Sequence, residues 1–140
     1  MVRQAECRFE GDAAQVRAAR RFVTGFLGGD WPDSDAAVLL ASELAANAVL
    51  HSLSGRPGGK FTVRAAVQPG EYLWVEVEDE GGTWITQAAD GERGRGLDIV
   101  AAIADEWGRD GDPVTGWVVW ARLRASRSRA RAGQEGRHGS

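Results

Sequence analysis

The stretch Ser42-Glu43-Leu44-Ala45-Ala46-Asn47-Ala48-Val49-Leu50-His51-Ser52 constrains what this chain can fold into more than any other. Leu39, Leu40, Leu44, Ala45, Ala48, Val49 and Leu50 leave a helix here almost no polar side, so it is expected to be buried. Yet Glu43, Asn47 and His51 stand at i, i+4 and i+8. At about 100° per residue that spacing aligns a carboxylate, an amide and an imidazole in one stripe. Buried polar groups need partners. For any one of these residues, backbone or water in an ordinary core meets that need. Three in line at one-turn spacing point instead to a pocket holding a polar ligand.

The rest of the chain narrows the ligand class. With 140 residues it is expected to form a single domain. Hydrophobic residues at 43% and charged residues at 26% match an ordinary globular body. Eleven basic and nineteen acidic residues fall within positions 1–121, whereas six Arg and one Glu follow from Arg122 onward. An acidic body argues against direct nucleic-acid binding, which needs clustered Lys and Arg. Cys7 is the sole cysteine, which excludes an intrachain disulfide and fits a reducing compartment. No apolar run reaches the roughly 20 residues of a membrane span, and the N-terminus has no apolar leader core. A cytoplasmic protein with no membrane partner is expected.

Around the central helix, alternation at Ala5, Cys7 and Phe9 predicts a short strand ended by Gly11. Asp12 caps a first helix carrying Val16, Ala19, Val23, Phe26 and Leu27 inward, with Arg17, Arg20 and Arg21 on its wet side and Gly28-Gly29 at its end. Trp31-Pro32-Asp33-Ser34 is a turn that caps the second helix, which is expected to run to about Leu53 before Gly55, Pro57, Gly58 and Gly59 break it. Segments 61–67 and 72–78 alternate and are joined by Gln68-Pro69-Gly70-Glu71, a hairpin pattern. Leu73, Val75 and Val77 share one face of its second strand, and the next step of two lands on Asp79. A carboxylate leaving on the core side either caps the following turn or meets a hydrogen-bonding ligand.

Gly81 and Gly82 open a polar connection through Thr83 to Arg93, long enough to act as a lid. Gly94-Arg95-Gly96 is expected to open a third helix with Leu97, Val100, Ala101 and Ala104 buried, and free N–H groups at such a start make an anion site. Residues 105–113 read as a turn leading into a last strand. There Trp117, Val119, Ala121 and Leu123 face the core, while Val118, Trp120, Arg122 and Arg124 face outward with Tyr72 and Trp74. Long Arg stems either shield those aromatics, or the patch is where a partner or second copy docks. Residues 125–140, rich in Arg, Gly and Ser, are expected to be a disordered tail behind a domain of residues 1–124.

In order and spacing, the Glu43/Asn47 helix, Asp79-Glu80-Gly81, the connection and Gly94-Arg95-Gly96-Leu97 resemble the N, G1 and G2 boxes of the GHKL (histidine-kinase-like) ATPase superfamily, over residues 9–123. The Glu-Leu-Ala-Ala-Asn-Ala-Val-Leu-His-Ser form of the first box and the short lid look most similar to the anti-sigma-factor serine/threonine kinases of actinobacterial type. The resemblance implies an α+β fold, a two-layer α/β sandwich whose mostly antiparallel sheet is covered on one face by about three helices. It implies ATP and Mg²⁺ as cofactors, with Asn47 holding the metal, Glu43 acting as general base and His51 near the phosphates. Asp79 would accept from the adenine amino group, Gly81 would let the backbone approach the base, and Gly94, Arg95, Gly96 and Leu97 would surround the phosphates. Partners implied are a sigma factor and an anti-anti-sigma (STAS-type) protein, with a homodimer possible.

Two departures accompany the resemblance. The G1 pattern is usually Asp-x-Gly-x-Gly, whereas here Thr83 takes the second glycine position and Gly82 comes one place early. No histidine-bearing dimerisation helix precedes the domain, so sensor-kinase self-phosphorylation is not expected. The function implied is transfer of the ATP γ-phosphate to a serine or threonine of a partner protein. The alternative is an ATP-binding interaction module without phosphotransfer, whose docking follows its nucleotide state.

Overall fold

The computed structural model describes residues 1–82 and 91–125. β1 (Arg3–Glu10) leads through Gly11 into α1 (Ala13–Leu27), which Asp12 caps by accepting from the Gln15 N–H at 3.2 Å. Such a cap contributes about 1 kcal/mol. Asp33 caps α2 (Ser34–His51) in the same way through the Ala36 N–H. A single 3-10 turn, Leu53–Gly55, follows α2. The hairpin β2 (Lys60–Gln68) and β3 (Tyr72–Glu78) comes next, then α3 (Gly91–Ile103), β4 (Glu106–Asp112) and β5 (Gly116–Arg124).

The sheet order is β1-β2-β3-β5-β4, and every neighbouring pair is antiparallel. Burial alternates strictly along β2 and β3, so one face is dry and the other wet. Phe61, Val63, Val67, Leu73, Val75, Val77, Val119 and Ala121 line the dry face and pack against Ala19, Val23 and Leu27 of α1, Leu40, Leu44 and Ala48 of α2, and Val100 of α3. This is the expected two-layer α+β sandwich. No helix among the described residues is long and apolar enough to cross a membrane.

On the wet face Arg64 donates to Glu76 at 2.9 Å, Glu78 at 2.6 Å and Glu6 at 3.1 Å. Trp74 and Trp120 stack with ring centroids 4.7 Å apart, and the Trp74 indole N–H donates to Glu76 at 2.8 Å. The outward aromatics are thus knitted into an ionic lattice across β1, β2 and β3.

Three local readings differ from the structure. Residues 106–112, read as a turn, form the edge strand β4, in register with β5 from Glu106↔Arg122 to Asp112↔Gly116. Its sequence of Gly and Asp carries turn chemistry and no apolar alternation, and pairing with β5 overrides that local preference. Gly108 helps, because a Cβ there would stand 2.8 Å from the Trp120 ring. Second, α2 is less enclosed than its composition suggests: Leu39 is 40% and Leu50 71% exposed, on a side that no element described covers. Third, α3 begins at Gly91, so Gly94 and Gly96 lie within its first turns rather than before them, and Ala101, expected on its buried stripe, is exposed. The lid expected at residues 83–93 falls largely on residues 83–90, outside those described. So does the tail beyond Ala125.

Candidate functional site

The polar stripe of α2 runs along the border where the helix leaves the core. Asn47 is buried at 4% exposure, with Glu43 and His51 half-buried one turn to either side. The Asn47 side-chain nitrogen has no hydrogen-bond partner among the described residues. Whichever way the amide is turned, one of its polar atoms is left to a group other than the described residues, and an orphaned buried polar group costs about 1–3 kcal/mol. Burial raises the pKa of the Glu43 carboxyl above its ordinary 4.5. His51 ends the helix, where a positive charge suits the helix dipole.

Asp79 leaves β3 on the dry side and is 5% exposed. Its Oδ1 accepts from the Gly81 N–H at 2.7 Å and the Trp117 N–H at 3.0 Å, and its own N–H donates to the Trp117 carbonyl at 2.9 Å. Asp79 therefore caps its own turn, which was one of the two readings of the sequence, and the cap fixes the direction of the carboxylate. Gly81 and Gly82 both adopt positive φ, +89° and +88°. A Cβ would stand 2.3 Å from the Pro113 carbonyl oxygen at Gly81 and 2.8 Å from the Leu53 side chain at Gly82. The early glycine at position 82 thus meets a demand of this particular turn.

The 3-10 turn after α2 ties the two halves together. The Leu53 N–H donates to the Gly81 carbonyl at 2.9 Å, and the hydroxyl of the fully buried Ser54 accepts from the Glu80 N–H at 3.0 Å. The chain that carries Asn47 and His51 is therefore bolted to the chain that carries Asp79. α3 packs beside α2, which brings the backbone of Gly94, Arg95 and Gly96 to the same helical layer, and Leu97 is half-buried against the core. Ser54, Leu53 and Trp117 were not singled out as site residues in the sequence. Ser54 sat within a helix-breaking cluster and Trp117 within a core alternation, and neither pattern signals a contact made with residues 80–82.

Comparison with known proteins shows the family. The family model for the histidine kinase-like ATPase domain matches residues 9–123. The chain belongs to that family. Membership implies an ATP-binding domain. Among solved structures the domain is similar to the RsbU and RsbW domains of Rv1364c from Mycobacterium tuberculosis, with a TM-score of 0.66 and 21% identity over 87% of this chain. At that identity the likeness is one of fold, and the match spans 32% of the other chain. No curated protein matches this chain.

The residues present fit a magnesium nucleotide better than a free metal ion. Among the described residues no group of three or more His, Cys, Asp or Glu could hold a metal. Mg²⁺ bound with a nucleotide needs only one or two protein oxygens, the phosphates and water supplying the rest. The orphaned Asn47 amide offers one such oxygen once turned outward.

Proposed function

We propose that this ATPase domain is a regulatory protein serine/threonine kinase of the anti-sigma-factor type, transferring the γ-phosphate of ATP to a serine or threonine of a partner protein. The observation that carries the reading is the pairing, one turn apart on α2, of a buried and unpartnered Asn47 amide with a half-buried carboxyl whose pKa burial raises. A module that only bound nucleotide would have no use for the second group.

Asn47 would hold Mg²⁺ against the triphosphate, and His51, Gly94, Arg95, Gly96 and Leu97 would surround the phosphates. Asp79 would accept from the adenine amino group, with Gly81 giving the base access to the backbone. Bound Mg²⁺ would neutralise phosphate charge during transfer. In the transfer the incoming hydroxyl oxygen bonds to the γ-phosphorus as the bond from that phosphorus to the β–γ bridging oxygen breaks. Glu43 takes the hydroxyl proton, and ADP leaves with the electron pair. A raised pKa suits Glu43 to this, because a stronger base near neutral pH drives the proton transfer better.

Partners of this reading are a sigma factor and a STAS-type anti-anti-sigma protein in the cytoplasm. The stacked Trp74/Trp120 face would supply the surface for a partner or a homodimer. That face also supports a second reading, a docking module controlled by nucleotide state without phosphotransfer. Incubating the chain with labelled Mg-ATP and a STAS-type substrate separates the two readings. Label on the partner that disappears with Glu43→Ala supports the kinase. Binding without transfer, unchanged by Glu43→Ala, leaves the module, and an absence of Mg-dependent ATP binding removes both.

A further inference from the structure

The 79–82 turn is held from two sides by residues far from it in sequence. From the helical side the Ser54 hydroxyl takes the Glu80 N–H at 3.0 Å, and the Leu53 N–H reaches the Gly81 carbonyl at 2.9 Å. From the strand side the Trp117 indole N–H donates to the Gly82 carbonyl at 3.0 Å, and the Gly82 N–H donates to the Pro113 carbonyl at 2.7 Å. Two of these four bonds run through side chains. Ser54 is fully buried, and its hydroxyl is committed to a backbone group 26 residues away. Trp117 is half-buried at the start of β5, its ring against the Gly82 backbone and beneath the Arg109 guanidinium, 4.5 Å from the ring centre. A core that needed only volume at these positions would take alanine and phenylalanine. The hydroxyl and the indole nitrogen are explained by the turn they grip.

We propose that Ser54 and Trp117 are positioning residues that lock the 79–82 turn, and that by doing so they set how strictly the site selects adenine over guanine. The proposal rests on the reading of Asp79 as the adenine acceptor. Adenine presents an amino donor at the position where guanine presents a carbonyl oxygen. A carboxylate held rigidly there accepts from the first and faces the second acceptor to acceptor, which leaves both unpaired. Rigidity carries the discrimination. Asp79 Oδ1 is already engaged by the N–H groups of Gly81 and Trp117, so the carboxylate moves only if the turn moves. With Ser54 and the Trp117 indole in place, the turn is fixed at residues 80 and 82, on both sides of the Gly81 N–H. Without them the turn gains freedom, the carboxylate retreats from a guanine oxygen, and the penalty against the wrong base shrinks.

The test uses the full chain with Mg-ATP and Mg-GTP titrated in parallel. Trp117→Phe keeps the ring and removes only the indole donor. Ser54→Ala removes the hydroxyl with the smallest change of volume. Each is expected to weaken ATP binding about fivefold, the worth of one ordinary hydrogen bond. Each is also expected to narrow the ATP-to-GTP affinity ratio, and the double variant to narrow it by about tenfold or more. A loss of fold stability alone would lower both affinities together, so the ratio is the quantity that decides, with thermal midpoints recorded beside it. Unchanged ratios in both variants overturn the proposal whatever the absolute affinities. Asp79→Asn separates the two levels of the argument. If the wild-type chain prefers ATP and Asp79→Asn loses that preference while the two positioning variants keep it, the positioning roles fall and the adenine site stands. If Asp79→Asn keeps the full wild-type preference, or the wild-type chain binds no Mg-ATP, both fall.

Discussion

On the wet face of the sheet, Arg64 meets Glu6, Glu76 and Glu78 at 2.6 to 3.1 Å, and the Glu78 hydrogen bond leads the causes that hold its pKa above the ordinary range. On the helix-covered side, Asn47 is more deeply buried than any of these, yet its amide nitrogen finds no partner among the described residues. The buried Asp79 and Ser54 do have partners, so on the dry side the Asn47 nitrogen stands out as a group that solvent cannot reach and no described residue satisfies. Arg122 shows that burial alone is not the difference. Its Nε is also buried without a partner, but the same guanidinium is paired with Glu106, so its charge is compensated. The Trp31 indole nitrogen is buried without a partner as well, so what singles out Asn47 is its place in one stripe with the half-buried Glu43 and His51.

Asp79→Asn is the substitution expected to act most strongly on the dry side. It retains an oxygen for the Gly81 and Trp117 N–H groups and so keeps the fold, but it offers a donor where adenine needs an acceptor. Calorimetric titration should show ATP affinity falling by about 100-fold with little change in the thermal midpoint. An unaltered affinity would show that Asp79 serves only its own turn.

Glu43→Gln should leave ATP affinity nearly intact and reduce phosphotransfer by roughly 100- to 10,000-fold, the usual worth of a general base. A linked stability effect has a definite sign. The folded carboxyl binds its proton more tightly than the unfolded one, whose pKa lies near 4.5, so stability falls as pH rises from 4.5 through the raised folded value. Glu43→Gln should flatten the stability profile in that window. A wild-type profile that rises there instead would contradict the burial of this group.

Arg64→Ala is expected to have the smallest effect. Exposed ion pairs contribute about 0–1 kcal/mol each and are screened by salt. Denaturant unfolding should show a loss of about 1 kcal/mol that shrinks in high salt, with nucleotide affinity unchanged. A large loss of ATP binding would mean that the two faces are coupled and that the contrast between them is not one of function.

The elements that carry the stripe and Asp79 could be read from the chain because their signals are local. Asp12 and Asp33 cap helices at the positions their sequences indicate, and the β2–β3 alternation predicts which residues face inward, down to Asp79. β4 could not be read in this way, since Glu106 to Asp112 has turn-like chemistry and becomes a strand only against β5. Nor could the exposure of Leu39 and Leu50, because a helix composition does not say which side neighbours will cover. The grip on the 79–82 turn was hidden for another reason. Its bonds join residues 54 to 80 and 82 to 117, and nothing periodic in a sequence records a single hydrogen bond across such separations.

The central claim, that the α2 stripe is completed by a magnesium nucleotide, is tested most directly by thermal unfolding of the wild-type chain and Asn47→Ala, each with and without Mg-ATP. Without nucleotide, Asn47→Ala should unfold at or above the wild-type midpoint, because it removes an unpartnered buried amide. With Mg-ATP at about 100 times its Kd, the wild-type chain should gain about 2.7 kcal/mol, or about 5 to 10 °C, and the variant should gain nothing. Equal shifts in both chains, or a variant already destabilised by several kcal/mol without nucleotide, would show that Asn47 serves the core and that the stripe is not the nucleotide site.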